Sequence, residues 1–347
     1  MVDISVIIPV HNGAEWIAKC MKSIADQTIF NTKAKIEIVV FNDGSTDCTQ
    51  KLLEEWKEYF SCQGTLFIIT GSSLSKGVGG AKNGAVNRST GQYLCFQDID
   101  DVMNPHRILQ QWEAAKLNKS AIIGCQVIRD PQNSTPRFVK WANNIKPEQL
   151  TKQIYLSYGP TILMPTWFCH RSVFEKIGGF DESGRGTPED LIFFYAHIDI
   201  GGKLIRLNQE LLIYTYHKNA TTFSVTRNRI QEIQLNRLES VVLPRWKYFT
   251  VWNAGKAGRR FVRMLSHKNK KKVTAFCDVD VNKIGRTIEL YCHMERRVIK
   301  KLPVLHFTEA KPPFVICVKL DMTNGDFEKN LESLNLTEGL RSYKGYF

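Results

Sequence analysis

Gln92-Tyr93-Leu94-Cys95-Phe96-Gln97-Asp98-Ile99-Asp100-Asp101 is the stretch on which the fold of this 347-residue chain turns. Its first half is a short apolar run of the kind buried as a strand, and its second half sets three carboxylates within four positions. At an effective dielectric near 20, two like charges about 4 Å apart repel by roughly 4 kcal/mol, so the group must be solvated, protonated or neutralised by a cation. Mg2+ and Mn2+ prefer oxygen ligands, and a D-x-D at a strand end suits them. Taken alone, the motif reads more simply as an acidic turn.

Upstream, residues 3–9, 36–41 and 65–70 are further strand-like runs, and residues 15–25, 47–59 and 79–87 between them have helical spacing or helix-start signals. Strict alternation of this kind predicts an α/β fold with a doubly wound, mostly parallel sheet. In such sheets ligands bind beyond the carboxyl ends of the strands. Polar residues gather there: His11-Asn12-Gly13 after the first strand, Asn42-Asp43-Gly44-Ser45 after the second, and Asp98 to Asp101 after the fourth.

Several of these turns read in two ways. Asp43 sits where Ser45 or Thr46 can cap the next helix, so it is either part of a capping turn or an acceptor for a nucleobase N–H. Gly77-Val78-Gly79-Gly80-Ala81-Lys82-Asn83 has the glycines of a phosphate-binding loop but lacks the ending of a P-loop; Lys82 is either aimed at a phosphate or a surface cation. Thr187-Pro188-Glu189-Asp190 opens a helix whose acids either favour its positive end or, facing a cleft, supply a general base. His217, after an apolar strand, is a candidate metal or phosphate ligand and otherwise structural. Trp141 and Trp167 lie in the stretch 130–170, where an acceptor pocket is expected, and are sugar-stacking candidates or core.

Downstream, a helix-rich segment at 225–246 leads into a second alternation, with strands at 248–252, 272–277 and 314–319 and a helix at 255–265. We therefore expect two domains, 1–245 and a smaller Rossmann-like 246–347. Asn253-Ala254-Gly255-Lys256-Ala257-Gly258 resembles a dinucleotide fingerprint with Asn253 in place of the first glycine, and Asp278 falls where a ribose-binding acid would stand. Gly255, Gly258 and Asp278 are thus candidate nucleotide contacts, against the alternative of a frame that kept its fold and lost its dinucleotide.

The net charge of +13 is not spread evenly: residues 241–347 carry 21 basic and 10 acidic groups, and the rest of the chain is near neutral. A basic C-terminal domain suits an anionic partner or simply a solvated face. Nine scattered cysteines without a C-x-x-C pair read as free thiols in a reducing compartment. The first strand begins too early for a signal peptide, and the uncharged run at 153–169 is broken by Gly159, Pro160 and Pro165. The expectation is a cytoplasmic protein without a transmembrane segment.

In order, V-I-I-P-V-H-N-G (6–13), F-N-D-G-S-T-D (41–47), G-G-A-K-N (79–83), F-Q-D-I-D-D (96–101), G-G-F-D-E (178–182), P-E-D (188–190) and Y-T-Y-H (214–217) resemble the family 2 glycosyltransferases, over residues 3 to about 223. The resemblance implies a GT-A fold and inversion at the anomeric carbon. It implies a UDP-sugar donor met by Asn12, Asp43 at the uracil, Lys82 and Asp98, with Mn2+ or Mg2+ on Asp100 and His217 near it. Asp190 would take the proton of a hydroxyl acceptor. Lys82 stands where many relatives have Arg, keeping the charge without the bidentate fork, and Ile99 replaces a commoner small residue. The chain also resembles the β-1,3-N-acetylglucosaminyltransferase-like branch of the family, which implies UDP-N-acetylglucosamine as donor and galactose as acceptor. The competing function is a catalytically silent nucleotide-sugar-binding or scaffold protein that recruits a partner through its basic C-terminal domain. An oxidoreductase lacks a catalytic pair, and a sugar nucleotidyltransferase lacks the glycine-rich loop after the first strand.

Overall fold

The computed structural model describes residues 1–155, 159–292 and 296–345. It divides into two compact units, one of Met1–Leu150 with Gly159–Thr226, the other of Arg227–Phe347 with the described residues of Thr151–Tyr158. The helical segment after residue 226, expected in the first domain, falls in the second unit. Residues 156–158 of the uncharged run lie outside the described residues.

In the first unit β1 (Ile4–Val10), α1 (Ala14–Ala25), β2 (Ile36–Asp43), α2 (Thr49–Cys62), β3 (Leu66–Ser72), α3 (Gly77–Arg88) and β4 (Tyr93–Phe96) follow the predicted alternation. After β4 come β5 (Val102–Met103), α4 (Arg107–Leu117), β6 (Ala121–Asp130), α5 (Pro136–Asn144), β7 (Phe168–His170), α6 (Arg171–Ile177), α7 (Glu189–Asp199) and β8 (Lys203–Thr215). The strands form one sheet in the order β3-β2-β1-β4-β7-β6-β8-β5. β1 lies parallel to β2 and β4 (Ile4 opposite Ile36 and Tyr93), while β7 runs antiparallel to both β4 and β6. This is the mixed α/β architecture expected for the first part of the chain.

Every residue of β1 is buried, as a strand covered on both faces requires. Ile4, Val6, Ile8 and Val10 share a core with Ile17, Met21 and Ile24 of α1 and Leu53 and Phe60 of α2. Each such side chain removed from water contributes roughly 1.5–3 kcal/mol, so the central strands hold their carboxyl-end turns rigidly.

The second unit contains α8 (Arg227–Arg237), β9 (Phe249–Trp252), α9 (Lys256–Met264), α10 (His267–Lys270), β10 (Val273–Asp278), β11 (Thr287–Cys292), β12 (Arg297–His306), β13 (Phe314–Ile316), α11 (Asp326–Ser333) and β14 (Ser342–Lys344). Its sheet runs β11-β12-β10-β9-β13-β14, and every neighbouring pair is parallel except β11 with β12. With the hairpin strand β11 set aside, the first strand in sequence is central and the order is that of a Rossmann-type sheet.

Among the described residues no helix is long and apolar enough to cross a membrane. Cys20, Cys95, Cys125, Cys169, Cys277 and Cys317 are buried free thiols, whereas Cys48 and Cys62 are exposed; the side chain of Cys292 lies outside the described residues.

Candidate active site

The acidic turn is braced from behind by a buried polar network. Gln97 donates its amide to the carbonyls of Asp98 (2.8 Å) and Asp101 (2.9 Å) and accepts from the Arg107 guanidinium (2.6 Å). Arg107, fully buried, also donates to the carbonyls of Phe96 and Pro165 and to Gln111, which in turn donates to Ile123 and Thr166. Sequence reasoning passed over Gln97, Arg107 and Gln111. A charged residue two positions after a proline at a helix start carries no local sign that tertiary packing will enclose it.

On the open side, Asp98, Asp100 and Asp101 each offer a carboxylate oxygen, all within 4.8 Å of one another. Asp101 is fully buried; one oxygen accepts from the Thr215 amide at 2.8 Å, and among the described residues the other meets no hydrogen-bond donor. Burial, reinforced by Asp100 and Asp98, raises its carboxyl well above the usual range. Burial, opposed by the Lys82 ammonium and helped by Asp100, raises Asp98 to about 6. His217 Nε2 donates to Asp100 at 2.8 Å, and its ring lies 4.9 Å from that of Trp16 on α1. An enclosed carboxylate oxygen without a donor, beside further hard oxygens and one imidazole, is a donor set that fits Mn2+ or Mg2+.

Asp190 sits in the first turn of α7, partly buried, with Oδ1 accepting from the Leu191 amide at 2.7 Å. Burial, with Glu189 adding to it and Lys82 opposing, pushes its carboxyl up to about 7; Asp98 also contributes to holding the proton. The fold thus brings Asp98 and Asp190, 92 positions apart in sequence, into one electrostatic environment.

Lys82 is neither a surface cation nor exposed to an incoming anion. It is 2% exposed, and its ammonium pairs with Glu189 at 2.9 Å beside Met164 Sδ (3.0 Å). Burial works against its charge, but Glu189 and Asp98 outweigh it and keep the group protonated above its usual range. Trp167 is a plain correction: at 1% exposure it stacks among Phe180, Phe193 and Phe194 and donates its indole N–H to Ile162. The acceptor pocket expected in the stretch 130–170 does not include this ring, which lies in the core. Trp141 is partly buried against the same unit's core.

At the carboxyl end of β2, Asp43 is 3% exposed and its carboxylate accepts from the Lys76 amide (2.7 Å), the Gly77 amide (2.9 Å) and the Ser75 hydroxyl (2.7 Å). It therefore clasps the loop between β3 and α3. Asn12, in the left-handed region (φ 51°), accepts from the Thr46 amide at 2.7 Å and joins the turns after β1 and β2.

In the second unit, Gly258 is required by packing, since a Cβ there would stand 1.9 Å from the Asn253 carbonyl. Gly255 donates its N–H to the Asn253 side chain at 2.7 Å. Asp278 accepts from the amides of Ala254, Val279 and Asp280 and meets Lys283 at 3.3 Å. The candidate anion cradle and ribose acid are thus engaged with each other's surroundings inside the unit.

Residues 5–178 match the model of the family described as Glycosyl transferase family 2. An uncharacterized glycosyltransferase of Rickettsia prowazekii is 30% identical over 240 residues, covering 67% of this chain and 69% of the relative. The chain therefore belongs to glycosyl transferase family 2, and it is a glycosyltransferase. Among solved structures it resembles S. aureus TarS 1-349 in complex with UDP-GlcNAc, with TM-score 0.52 and 17% identity over 70% of this chain and 68% of that one. Of the longer TarS chain it covers 40%. The mannosyltransferase PcManGT from Pyrobaculum calidifontis, in complex with GDP-Man and Mn2+, gives TM-score 0.50 and 20% identity over 63% of this chain and 58% of that one. At these identities the likeness is one of fold.

Proposed function

We propose that this protein is an inverting, metal-dependent transferase that passes the sugar of a UDP-sugar to a hydroxyl acceptor, with Asp190 as base. The observation that carries the reading is the convergence of two acidic sets, Asp98 to Asp101 at the end of β4 and Asp190 at the start of α7, where the proton affinity of Asp190 is raised to about 7. A carboxylate balanced near neutral pH is suited to accept a hydroxyl proton as the bond to the sugar forms. With one base and no second carboxylate required as nucleophile, attack opposite the departing nucleotide inverts the anomeric carbon.

Asp100, with His217 beside it and Asp98 and Asp101 adjoining, would hold the divalent cation. When bound, such an ion supplies positive charge to the departing diphosphate. Asp98 would orient the donor, and Asn12 would shape its entrance. The TarS complex with UDP-GlcNAc supports UDP-N-acetylglucosamine as the first donor to try, and the PcManGT complex with Mn2+ supports the ion.

Thermal stabilisation by UDP should require Mn2+ in wild type and be lost in Asp100→Ala, while transfer from a panel of UDP-sugars should be lost in Asp190→Asn with UDP binding kept. Metal-dependent UDP binding that persists in Asp100→Ala overturns the ligand assignment, and full transfer by Asp190→Asn removes the base.

A further inference from the structure

Helix α3 carries G-G-A-K-N, and Gly79, Lys82 and Asn83 of this motif, with Gly77 just before it, face the segment that ends in Asp190. A Cβ on Gly77 would lie 3.2 Å from Gly184, and one on Gly79 would lie 2.2 Å from the Asp181 carbonyl, so both glycines permit close approach of that segment. Asn83 makes a two-way clasp on the Phe180 backbone, donating to its carbonyl at 2.9 Å and accepting from its amide at 2.8 Å, and donates to Glu182 at 2.7 Å. Lys82 completes the series with its buried pair to Glu189, the residue immediately before Asp190. A phosphate-binding loop would leave its amides and its lysine open to a ligand; here the lysine is enclosed, and Gly77 and Gly79 meet the backbone of the segment.

We propose that Lys82 and Asn83 are positioning residues for the base: α3 is a dock that holds residues 179–190, and Lys82 acts through Glu189 on Asp190 rather than on the donor's phosphates. This rests on Asp190 being the base. A buried ammonium paired on one side fixes the start of α7, and small displacements of a base cost large factors in rate. Asp43 extends the same dock, because its clasp on the amides of Lys76 and Gly77 pins the start of α3.

The test compares wild type, Lys82→Met, Glu189→Gln, the double variant and Asp190→Asn. It measures Kd for UDP with Mn2+, kcat and KM for whichever UDP-sugar is turned over, and backbone hydrogen exchange across 179–190. Each single variant should lower kcat by about tenfold or more, leave the UDP Kd within about twofold and speed exchange in 179–190, and the double variant should be no worse than the poorer single one. A Lys82→Met protein whose UDP Kd rises about tenfold, with exchange unaltered, overturns the proposal. If Lys82→Met does not fold, Glu189→Gln decides: unchanged or tighter UDP binding with lost turnover and faster exchange supports the dock, and unaltered turnover and exchange refute it. Asp190→Asn separates the two readings, since turnover that survives it removes the base while the exchange and Kd results still judge the dock.

Discussion

Asp190→Asn should make the metal-free protein more stable, and increasingly so as pH rises. In the unfolded chain this carboxyl takes its ordinary value of 3.8, whereas in the fold burial and Glu189 hold it at about 7. The folded state therefore binds the proton more tightly, so the contribution to stability is full below 3.8 and is lost as pH rises through about 7. Above that range, ionising Asp190 in place costs about 4 kcal/mol relative to the unfolded chain; at pH 5 the cost is about 1.5–2 kcal/mol. Asparagine has a similar shape and no charge to bury. The gap in unfolding free energy between variant and wild type should widen by about 2–3 kcal/mol between pH 5 and pH 9. Urea titrations in EDTA at several pH values, followed by tryptophan fluorescence, measure it. A gap that stays flat across this range, or narrows, would refute the electrostatic account of the site.

Arg107→Met should destabilise the fold by on the order of 4 kcal/mol, because the carbonyls of Phe96 and Pro165 and the side-chain oxygens of Gln97 and Gln111 lose their donor inside the core. A loss below about 1 kcal/mol in denaturant titration would mean that water replaces it. Gly79→Ala sets helix propensity, worth up to about 1 kcal/mol in favour, against a contact 2.2 Å from the Asp181 carbonyl. The clash should win, lowering the melting temperature and kcat together; a more stable variant would show that the segment yields freely. NAD(H) and NADP(H), titrated by calorimetry into the full chain, should give no binding, because Asp278 and the Gly255 amide already have partners within the second unit. Saturable binding abolished by Asp278→Ala would reverse this.

Hydrophobic periodicity and strand-end chemistry made the first four strands and three helices legible, because a parallel strand covered on both faces must be apolar throughout. The register of β1 with β2 and β4 was not legible there, because a strand apolar on both faces has no alternation to set it. β7 is only three residues long and carries no pattern strong enough to read, and β8 mixes exposed and buried positions along its thirteen residues, so only its apolar end before His217 was legible. Their existence depends on the neighbours with which they pair.

For the site, the sequence by itself determined which acids would stand at strand and helix ends: Asp98 to Asp101 after β4 and Asp190 at the start of α7. Local capping chemistry and strand termination are short-range properties, and side-chain order alone encodes them. Only the tertiary structure decided what each group faces. It enclosed Lys82 with Glu189, turned Asp43 onto the loop before α3, and buried Trp167 among phenylalanines. Burial and charge pairing are set by residues 11 to 107 positions away in the chain, and those distances close only when the sheet is assembled.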